Sequence, residues 1–382
     1  MKIVNFLISI LSFSVTSFAQ SIEVQGELKI STVNQNNSGT DILVRNPDGT
    51  LAKRDASTMG AESPGTNIGD IKYWNGSSWL KLPIGSPGQI LTTSQSNIPQ
   101  WKSVGKTYIK INGNITNEQA AIQLTNEFGI NTEFIWIENT TSLTSIDLNG
   151  VASLVQLRIL NNAHLTIVGL NGLATVDEYI LVDNNPMLSS LHFPIYNSSS
   201  AGFYCYSNLT LNSVTMPALT TNRLAFQLLG NPLLTSISLP SLEINTGTLL
   251  FSDNTNLTTL SFPSLEINAG RFSLTINNSL TSLNFPLLIS TGPDEFECTN
   301  NPNLSIFNWP SISSINTSTF YLSGNKFSSS AINGLLAKFA AFGGPTLSEI
   351  YLNNQTPPAP PTGQGLIDKV TLENNGVNVS TD

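Results

Sequence analysis

The sequence predicts an all-β solenoid, in which short strands stack as coils of about 23 residues. Each copy holds two short segments in which apolar and polar residues alternate, which is the period of a β-strand. A proline recurs once per copy, at Pro194, Pro217, Pro240, Pro263, Pro286 and Pro310. A leucine recurs at steps of 22, then 23 five times, then 24 residues, at Leu143, Leu165, Leu188, Leu211, Leu234, Leu257, Leu280 and Leu304.

Residues 1–19 have the pattern of a secretory signal peptide. Lys2 precedes an apolar run, and the small residues Ser17 and Ala19 fit cleavage after Ala19. The run is interrupted by Asn5 and by several serines, and it is shorter than the roughly 20 apolar residues that span a bilayer. No later stretch is long enough to do so. We therefore expect a secreted or cell-surface protein with no transmembrane segment in its mature chain.

Residues 20–105 differ from the repeats and are rich in Gly, Ser, Asn and Pro. We expect a β-rich or extended region, in which short strands are separated by turns. Trp74, Trp79 and Trp101 are expected to form a small local core. The alternative interpretation is that these tryptophans mark an interaction site.

The repeat region is predicted to cover residues 106–327. Two consecutive copies read NPLLTSISLPSLEINTG at 231–247 and NTNLTTLSFPSLEINAG at 254–270. Such copies leave no room for a helix, so each is expected to form one coil with two strands. The proline after the first strand ends the pairing there, because it has no N–H group to donate.

The two cysteines fall in one inward-facing column of the predicted stack. Cys205 and Cys298 are 93 residues apart, which corresponds to four coils. Four coils extend over about 19 Å at the spacing of paired strands, whereas a disulfide needs Cα atoms within about 7 Å. We therefore predict two buried free thiols.

An asparagine precedes the leucine of each copy, and these asparagines predict a buried ladder. A tight corner leaves backbone N–H and C=O groups that no strand can pair, and an amide side chain carries both a donor and an acceptor. Some of these residues lie in glycosylation sequons, but burial in the ladder would hide the amide. The predicted ladder consists of Asn162, Asn185, Asn208, Asn231, Asn254, Asn277, Asn301 and Asn325.

Residues 328–382 are predicted to cap the open end of the stack, because an unpaired strand edge invites aggregation. Serines precede a helical pattern and Gly343 follows it. A strand at LSEIYLN, a short helix at LIDKVTLENNG and a final strand at VNVS follow. The helical apolar residues are Ile332, Leu335, Leu336 and Phe339.

The coil pattern NNxxLxxLxFPxL resembles the repeats of leucine-rich, receptor L-domain-like proteins. The tail AINGLLAKF…LIDKVTLENNGVNVST is similar to the C-terminal cap of bacterial leucine-rich-repeat proteins. The resemblance covers residues 130–382, and the segment 70–101 looks like stretches in secreted, fibre-like bacterial surface proteins. It implies non-catalytic binding or adhesion, with a protein or glycan at a cell surface as partner, and it names no ligand.

Composition and motifs argue against several other classes of function. The formal net charge is −9 and 11% of the residues are charged, so no basic surface is available for nucleic acid. Only two histidines are present, His164 and His192, and no zinc-ligand cluster or nucleophile motif occurs. We expect no catalysis, no cofactor and no metal. Asp294, Glu295 and Glu297 are expected to be a solvated cluster, with calcium binding as the alternative.

One outward face is the candidate ligand-binding surface. Aromatic side chains grouped on a rigid face are typical of contacts with a sugar or a protein. The competing interpretation is that the N-terminal region covers them. Two other functions stay open, namely a carbohydrate-active solenoid enzyme and an ice-binding protein that uses a second face rich in serine. The candidate ligand-binding residues are Trp136, Arg158, Tyr179, Tyr204 and Tyr206.

Overall fold

A computed structural model of the protein describes residues 67–94 and 96–382 in full, and the backbone alone of 41–45 and 51–55. The predicted signal peptide, residues 1–19, lies outside the described residues. The chain divides into two compact units, of which the second is Gly85–Asp382. This boundary comes earlier than the predicted one at residue 105. Among the described residues, no helix is both long enough and apolar enough to cross a lipid bilayer.

Three antiparallel hairpins form the described part of the N-terminal region, as its turn-rich sequence predicts. Trp74 and Trp79 pair across the second hairpin with their ring centroids 5.8 Å apart. Both side chains are more than half exposed, so the prediction that they form a core is wrong for this pair. The hairpin strands are β1 (Asp41–Arg45), β2 (Leu51–Asp55), β3 (Ile71–Trp74), β4 (Trp79–Leu82), β5 (Gln89–Thr93) and β6 (Pro99–Ser103).

The solenoid begins with strand β7 (Tyr108–Gly113) and helix α1 (Asn117–Glu127). This helix was not predicted, although Thr116 and Gln119 have the spacing of a capping box. The backbone N–H of Gln119 donates to the Thr116 hydroxyl, and the N–H of Thr116 donates to the Gln119 side chain. The helix buries Ala120 and Leu124 and so covers the first end of the stack.

The coils that follow contain 22 strands. In chain order these are β8 (Phe134–Thr140), β9 (Ser145–Asp147), β10 (Ser153–Leu160), β11 (Ile167–Gly169), β12 (Thr175–Asp183), β13 (Ser190–His192), β14 (Gly202–Tyr206), β15 (Ser213–Thr215), β16 (Thr221–Asn222), β17 (Ala225–Leu229), β18 (Ser236–Ser238), β19 (Ile244–Asn245), β20 (Thr248–Ser252), β21 (Thr259–Ser261), β22 (Ile267–Asn268), β23 (Phe272–Thr275), β24 (Ser282–Asn284), β25 (Ser290–Thr291), β26 (Phe296–Thr299), β27 (Ile306–Asn308), β28 (Ser314–Ile315) and β29 (Thr319–Tyr321).

The C-terminal cap has the predicted order of elements. Helix α2 (Ser329–Phe342) is followed by β30 (Glu349–Tyr351), α3 (Gln364–Asn374) and β31 (Asn378–Ser380). The Ser328 hydroxyl accepts the N–H of Ala331, and Gly343 ends α2. The four apolar residues predicted for this helix are all buried.

The largest sheet has 12 parallel strands. Each coil supplies one strand, and the C-terminal cap supplies β30 and β31. The strand order is β7, β8, β10, β12, β14, β17, β20, β23, β26, β29, β30 and β31. A second side of the solenoid carries three short sheets built from the first strand of each coil. A third side has the five-stranded sheet β16–β19–β22–β25–β28. The prediction of two strands per coil was therefore wrong for these coils, which have three.

The predicted inward columns form one continuous core. Phe203, Phe226, Phe272 and Phe296 are buried, and adjacent rings such as Phe272 and Phe296 stack with centroids 4.7 Å apart. Cys205 and Cys298 are both free and fully buried, which confirms the prediction for the thiols. Burial raises the pKa of both thiols far above the usual range.

The predicted asparagine ladder is confirmed at all eight positions, because every one of these residues is fully buried. The backbone N–H and the side-chain amide of Asn231 donate to Oδ1 of Asn254, at 3.3 and 3.4 Å. The same amide donates to the carbonyls of Cys205 and Leu229. Thr140 ends the ladder on one side, with its hydroxyl 2.8 Å from Oδ1 of Asn162.

A second ladder, which the sequence analysis missed, runs along the third side. The Asn222 amide donates to Oδ1 of Asn245, and Asn245 donates to Oδ1 of Asn268, both at 2.7 Å. Each amide also donates to the carbonyl two residues further along the chain, as from Asn245 to Gly247. This ladder satisfies a second corner, where the chain turns back into the large sheet.

The residue before each ladder asparagine has a left-handed backbone conformation. Most of these positions hold Asn, Asp, Ser or Gly, which tolerate this conformation. Ile276 is the exception, since it is β-branched and has φ of 58°. Its side chain is 42% exposed, so no core packing requires an isoleucine at this corner.

Replacing a ladder asparagine should destabilise the solenoid. In Asn254→Leu, the carbonyl of Leu228 and the N–H of Asn231 lose their side-chain partner. Buried groups without a partner cost about 1–3 kcal/mol each, so we expect a loss of about 3 kcal/mol in unfolding free energy. Urea unfolding measures this loss. Asn256→Leu, an exposed position in the same coil, is the matched control, and an equal loss there would contradict the ladder.

Ile276→Asn should stabilise the protein. A left-handed conformation costs a residue with a Cβ about 1–2 kcal/mol, and asparagine relieves part of that cost through local hydrogen bonds. We expect a gain of about 1 kcal/mol, measured by thermal unfolding. Ile289→Asn removes a similarly exposed isoleucine (46%) without a positive φ, and it should give no gain.

Candidate functional site

The outward face of the large sheet brings the five predicted ligand-binding residues together on four adjacent strands, β8, β10, β12 and β14. Trp136 pairs with Arg158 in the strand register, and Leu181 pairs with Tyr204 in the same row. Tyr179 and Tyr206 lie in the rows on either side. We call the surface formed by Trp136, Arg158, Tyr179, Tyr204 and Tyr206 the aromatic face.

Trp136 is packed more closely than the sequence analysis expected. The Tyr108 ring meets it edge to face at 4.8 Å, and the Arg158 guanidinium lies over it, 4.1 Å from the ring centroid. Its indole nitrogen is buried and donates no hydrogen bond. Strand β7, which supplies Tyr108, therefore covers part of the aromatic face at this end. This strand belongs to the predicted repeat region, so the contact does not test whether the N-terminal region covers the face.

A buried carboxylate holds Arg158 in place. Glu138 is only 6% exposed and lies 3.2 Å from the Lys110 ammonium and 3.1 Å from Nε of Arg158. The Arg158 contact has the distance of an ion pair but not the geometry of a hydrogen bond. Both cations are thus engaged with one carboxylate, and removing Glu138 would leave two like charges side by side.

The three tyrosines of the aromatic face are half-buried, as Trp136 and Arg158 are. Tyr179 and Tyr204 lie 6.4 Å apart and Tyr204 and Tyr206 lie 6.2 Å apart, with their rings at steep angles to each other. The Tyr179 hydroxyl donates to Gln156 at 2.8 Å, and the Tyr206 hydroxyl donates to Gln227 at 2.6 Å. These bonds hold the rings of Tyr179 and Tyr206 in place.

Burial alters the titration of this surface. It raises the pKa of Tyr206 to about 12, and the neighbouring Tyr204 and Asp183 add to the rise. Burial also raises the pKa of the Asp183 carboxyl. The raised pKa changes the titration of Tyr206 only above about pH 10.

The other end of the same face holds two tyrosines that the sequence analysis missed. Tyr321 and Tyr351 stack in parallel, 5.2 Å apart and 7° from coplanar. Tyr321 follows an inward phenylalanine, as Tyr204 does, so the repeat register could have identified it. Tyr351 belongs to the cap, where the 23-residue period no longer applies.

Two carboxylates of the acidic segment 294–297 contact an arginine. The Arg271 guanidinium lies 3.6 Å from Glu295 and 3.6 Å from Glu297, and Asp294 is exposed. Within the described residues, no group of three or more His, Cys, Asp or Glu side chains is placed to hold a metal ion. His164 lies in a turn, and His192 contacts the Thr215 hydroxyl on the second side.

Strand pairing along the serine-rich side is interrupted twice. Its strands make three separate sheets of two or three strands each, and His192 interrupts the hydroxyl groups. Trp101, the third tryptophan of the predicted local core, lines an open cleft of about 600 Å³ beside Phe128 and Ser153. Neither feature places carboxylates together for acid–base chemistry.

Comparison of the chain with known protein families, with curated proteins and with solved structures gave no match. The fold and the geometry of the aromatic face are therefore the basis for assigning a function.

The pKa of Tyr206 predicts how stability depends on pH. Because an unfolded tyrosine titrates near pH 10 and Tyr206 near pH 12, the folded state keeps a proton that the unfolded state loses in between. Stability contributed by this group is present below about pH 10 and is lost as the pH rises toward 12. Between pH 10 and pH 12, the free energy of unfolding measured with urea should fall less in Tyr206→Phe than in the wild type. An identical pH dependence in both proteins would contradict the assignment.

Proposed function

We propose that this protein is an exported, non-catalytic binding or adhesion protein whose aromatic face binds a ligand at a cell surface. The observation that carries the proposal is the group of three tyrosines on adjacent strands of a rigid sheet, two of them fixed by glutamines. A preorganised surface loses little conformational freedom on binding, so its contacts contribute more fully to affinity.

Between a protein and a glycan, the side chains around the rings favour a glycan. Tyrosine rings can pack against the C–H groups of a sugar, while Gln156, Gln227 and Asp183 can hydrogen-bond its hydroxyls. A protein interface of ordinary size has an apolar core that is poor in charged residues. Here amides and carboxylates lie between the rings, which suits a polyhydroxylated ligand better.

The two alternative functions, a carbohydrate-active enzyme and an ice-binding protein, lack a comparable observation in their favour. A glycosidase needs two carboxyl groups in a defined pair beside the bound sugar, whereas Glu138 is engaged by two cations and Asp183 lies beside tyrosines. An ice-binding surface needs a flat and regular array, and the serine-rich side is split into three sheets. Export of the protein rests on the pattern of residues 1–19.

Removing the central ring should weaken binding. We expect Tyr204→Ala to lower affinity at least tenfold for a ligand identified on a glycan array, because a central aromatic contact contributes about 1.4 kcal/mol or more. Calorimetric titration measures the change, and an unchanged thermal midpoint shows that the fold is retained. Tyr73→Ala, in hairpin β3–β4, is the control. An equal loss in that variant, or no loss in Tyr204→Ala, would contradict the proposed face.

A further inference from the structure

The row of the sheet that contains Tyr204 continues along the solenoid to the second pair of tyrosines. Strand pairing places these residues next to one another in successive strands: Tyr204, Gln227, Leu250, Ser273, Glu297, Tyr321 and Tyr351. At about 4.8 Å per strand, Tyr204 and Tyr321 are about 24 Å apart along the stack. One straight track therefore joins the two tyrosine clusters.

The ends of this track carry larger side chains than the buried serine in its middle. Ser273 is only 2% exposed, and its hydroxyl donates to Glu297 at 2.8 Å. Tyr321 and Tyr351 stack face to face, so they present ring edges and hydroxyls outward. Burial, together with Glu295 and Glu349, raises the pKa of Tyr321. An extended ligand could contact both ends while Gln227 and Glu297, which flank Leu250 and Ser273 in the middle, bind its hydroxyl groups.

Charge on the face argues against an anionic ligand. The cations Lys110 and Arg158 are engaged with Glu138, and Arg271 lies between Glu295 and Glu297. Carboxylates exceed cations along the track and beside it, where the charged residues are Lys110, Arg158, Arg271, Glu138, Glu178, Asp183, Glu295, Glu297 and Glu349. A polyanion would meet repulsion that an uncharged polymer would not.

We infer that the ligand of this face is a linear, uncharged glycan that lies along the solenoid axis and contacts both Tyr204 and the Tyr321–Tyr351 pair. This inference rests on the proposed function and specifies its ligand class. Each sugar of such a chain is about as long as one strand spacing, so successive sugars would meet successive strands. Contact at both ends makes the second contact intramolecular, which raises the affinity of long chains above that of short ones.

The test is calorimetric titration of the full chain with neutral gluco-, xylo- and manno-oligosaccharides of increasing length. Affinity should rise at least tenfold once an oligosaccharide is long enough to span about 24 Å. The double variant Tyr321→Ala/Tyr351→Ala should lose this gain and still bind short oligosaccharides as the wild type does. Tyr204→Ala should weaken the binding of short and long chains alike.

The conservative double variant Tyr321→Phe/Tyr351→Phe keeps the stacked rings and removes only the hydroxyls, so it guards against loss of folding. In this variant the rise in affinity with oligosaccharide length should be smaller than in the wild type. Affinity that does not depend on length, or a gain that survives both double variants, would overturn the two-ended track. Tighter binding of uronic-acid oligosaccharides would overturn the uncharged ligand. If the wild type binds none of these glycans at any length, the proposed glycan function itself fails.

Discussion

The solenoid depends on one interaction, the hydrogen bonding of buried asparagine amides to the backbone at the corner of each coil. Wherever the chain turns out of the large sheet, its N–H and C=O groups point away from any strand. One asparagine per coil accepts from the coil before it and donates to two carbonyls, as Asn231 does. Because each amide reaches its neighbour only when the coils are in register, the ladder also sets the register of the coils from Asn162 to Asn325.

The aromatic face is a consequence of that register. In the strand row of Tyr204, inward positions on either side are buried hydrophobic residues such as Phe203 and Cys205, so the outward positions are free to vary. In this chain the outward residues change in character from one end of the sheet to the other. Charged and aromatic groups pack together near Trp136, and hydrogen-bonded tyrosines follow. The middle holds Leu250 and a serine bonded to Glu297, and a stacked tyrosine pair lies near the cap. A repeat that is uniform inside thus carries a surface with distinct regions.

Both ends of the stack are covered by elements that break the repeat. Helix α1 packs at the start, while α2, α3 and the strands β30 and β31 extend the large sheet and close it at the other end. The cap is also functional in the proposed mode of binding, since Tyr351 comes from β30. Exposed edges are a liability in any open sheet, and here the element that extends one end also lengthens the candidate binding surface.

The spacing of residues in the sequence determined the coil length, the ladder from Asn162 to Asn325 and the burial of both cysteines, since each follows from a 23-residue period that every copy repeats. It did not reveal the second ladder, because Asn222, Asn245 and Asn268 occur in only three coils. The capping-box spacing of Thr116 and Gln119 indicates helix α1, but this local pattern is not part of the repeat from which the fold was predicted. Only the tertiary structure decided that Trp136 is half-covered by Tyr108 and Arg158, and that Tyr321 and Tyr351 extend the face. The physical reason is that a period predicts which residues share a row, whereas the accessibility of a ring depends on the side chains of neighbouring coils, which do not repeat.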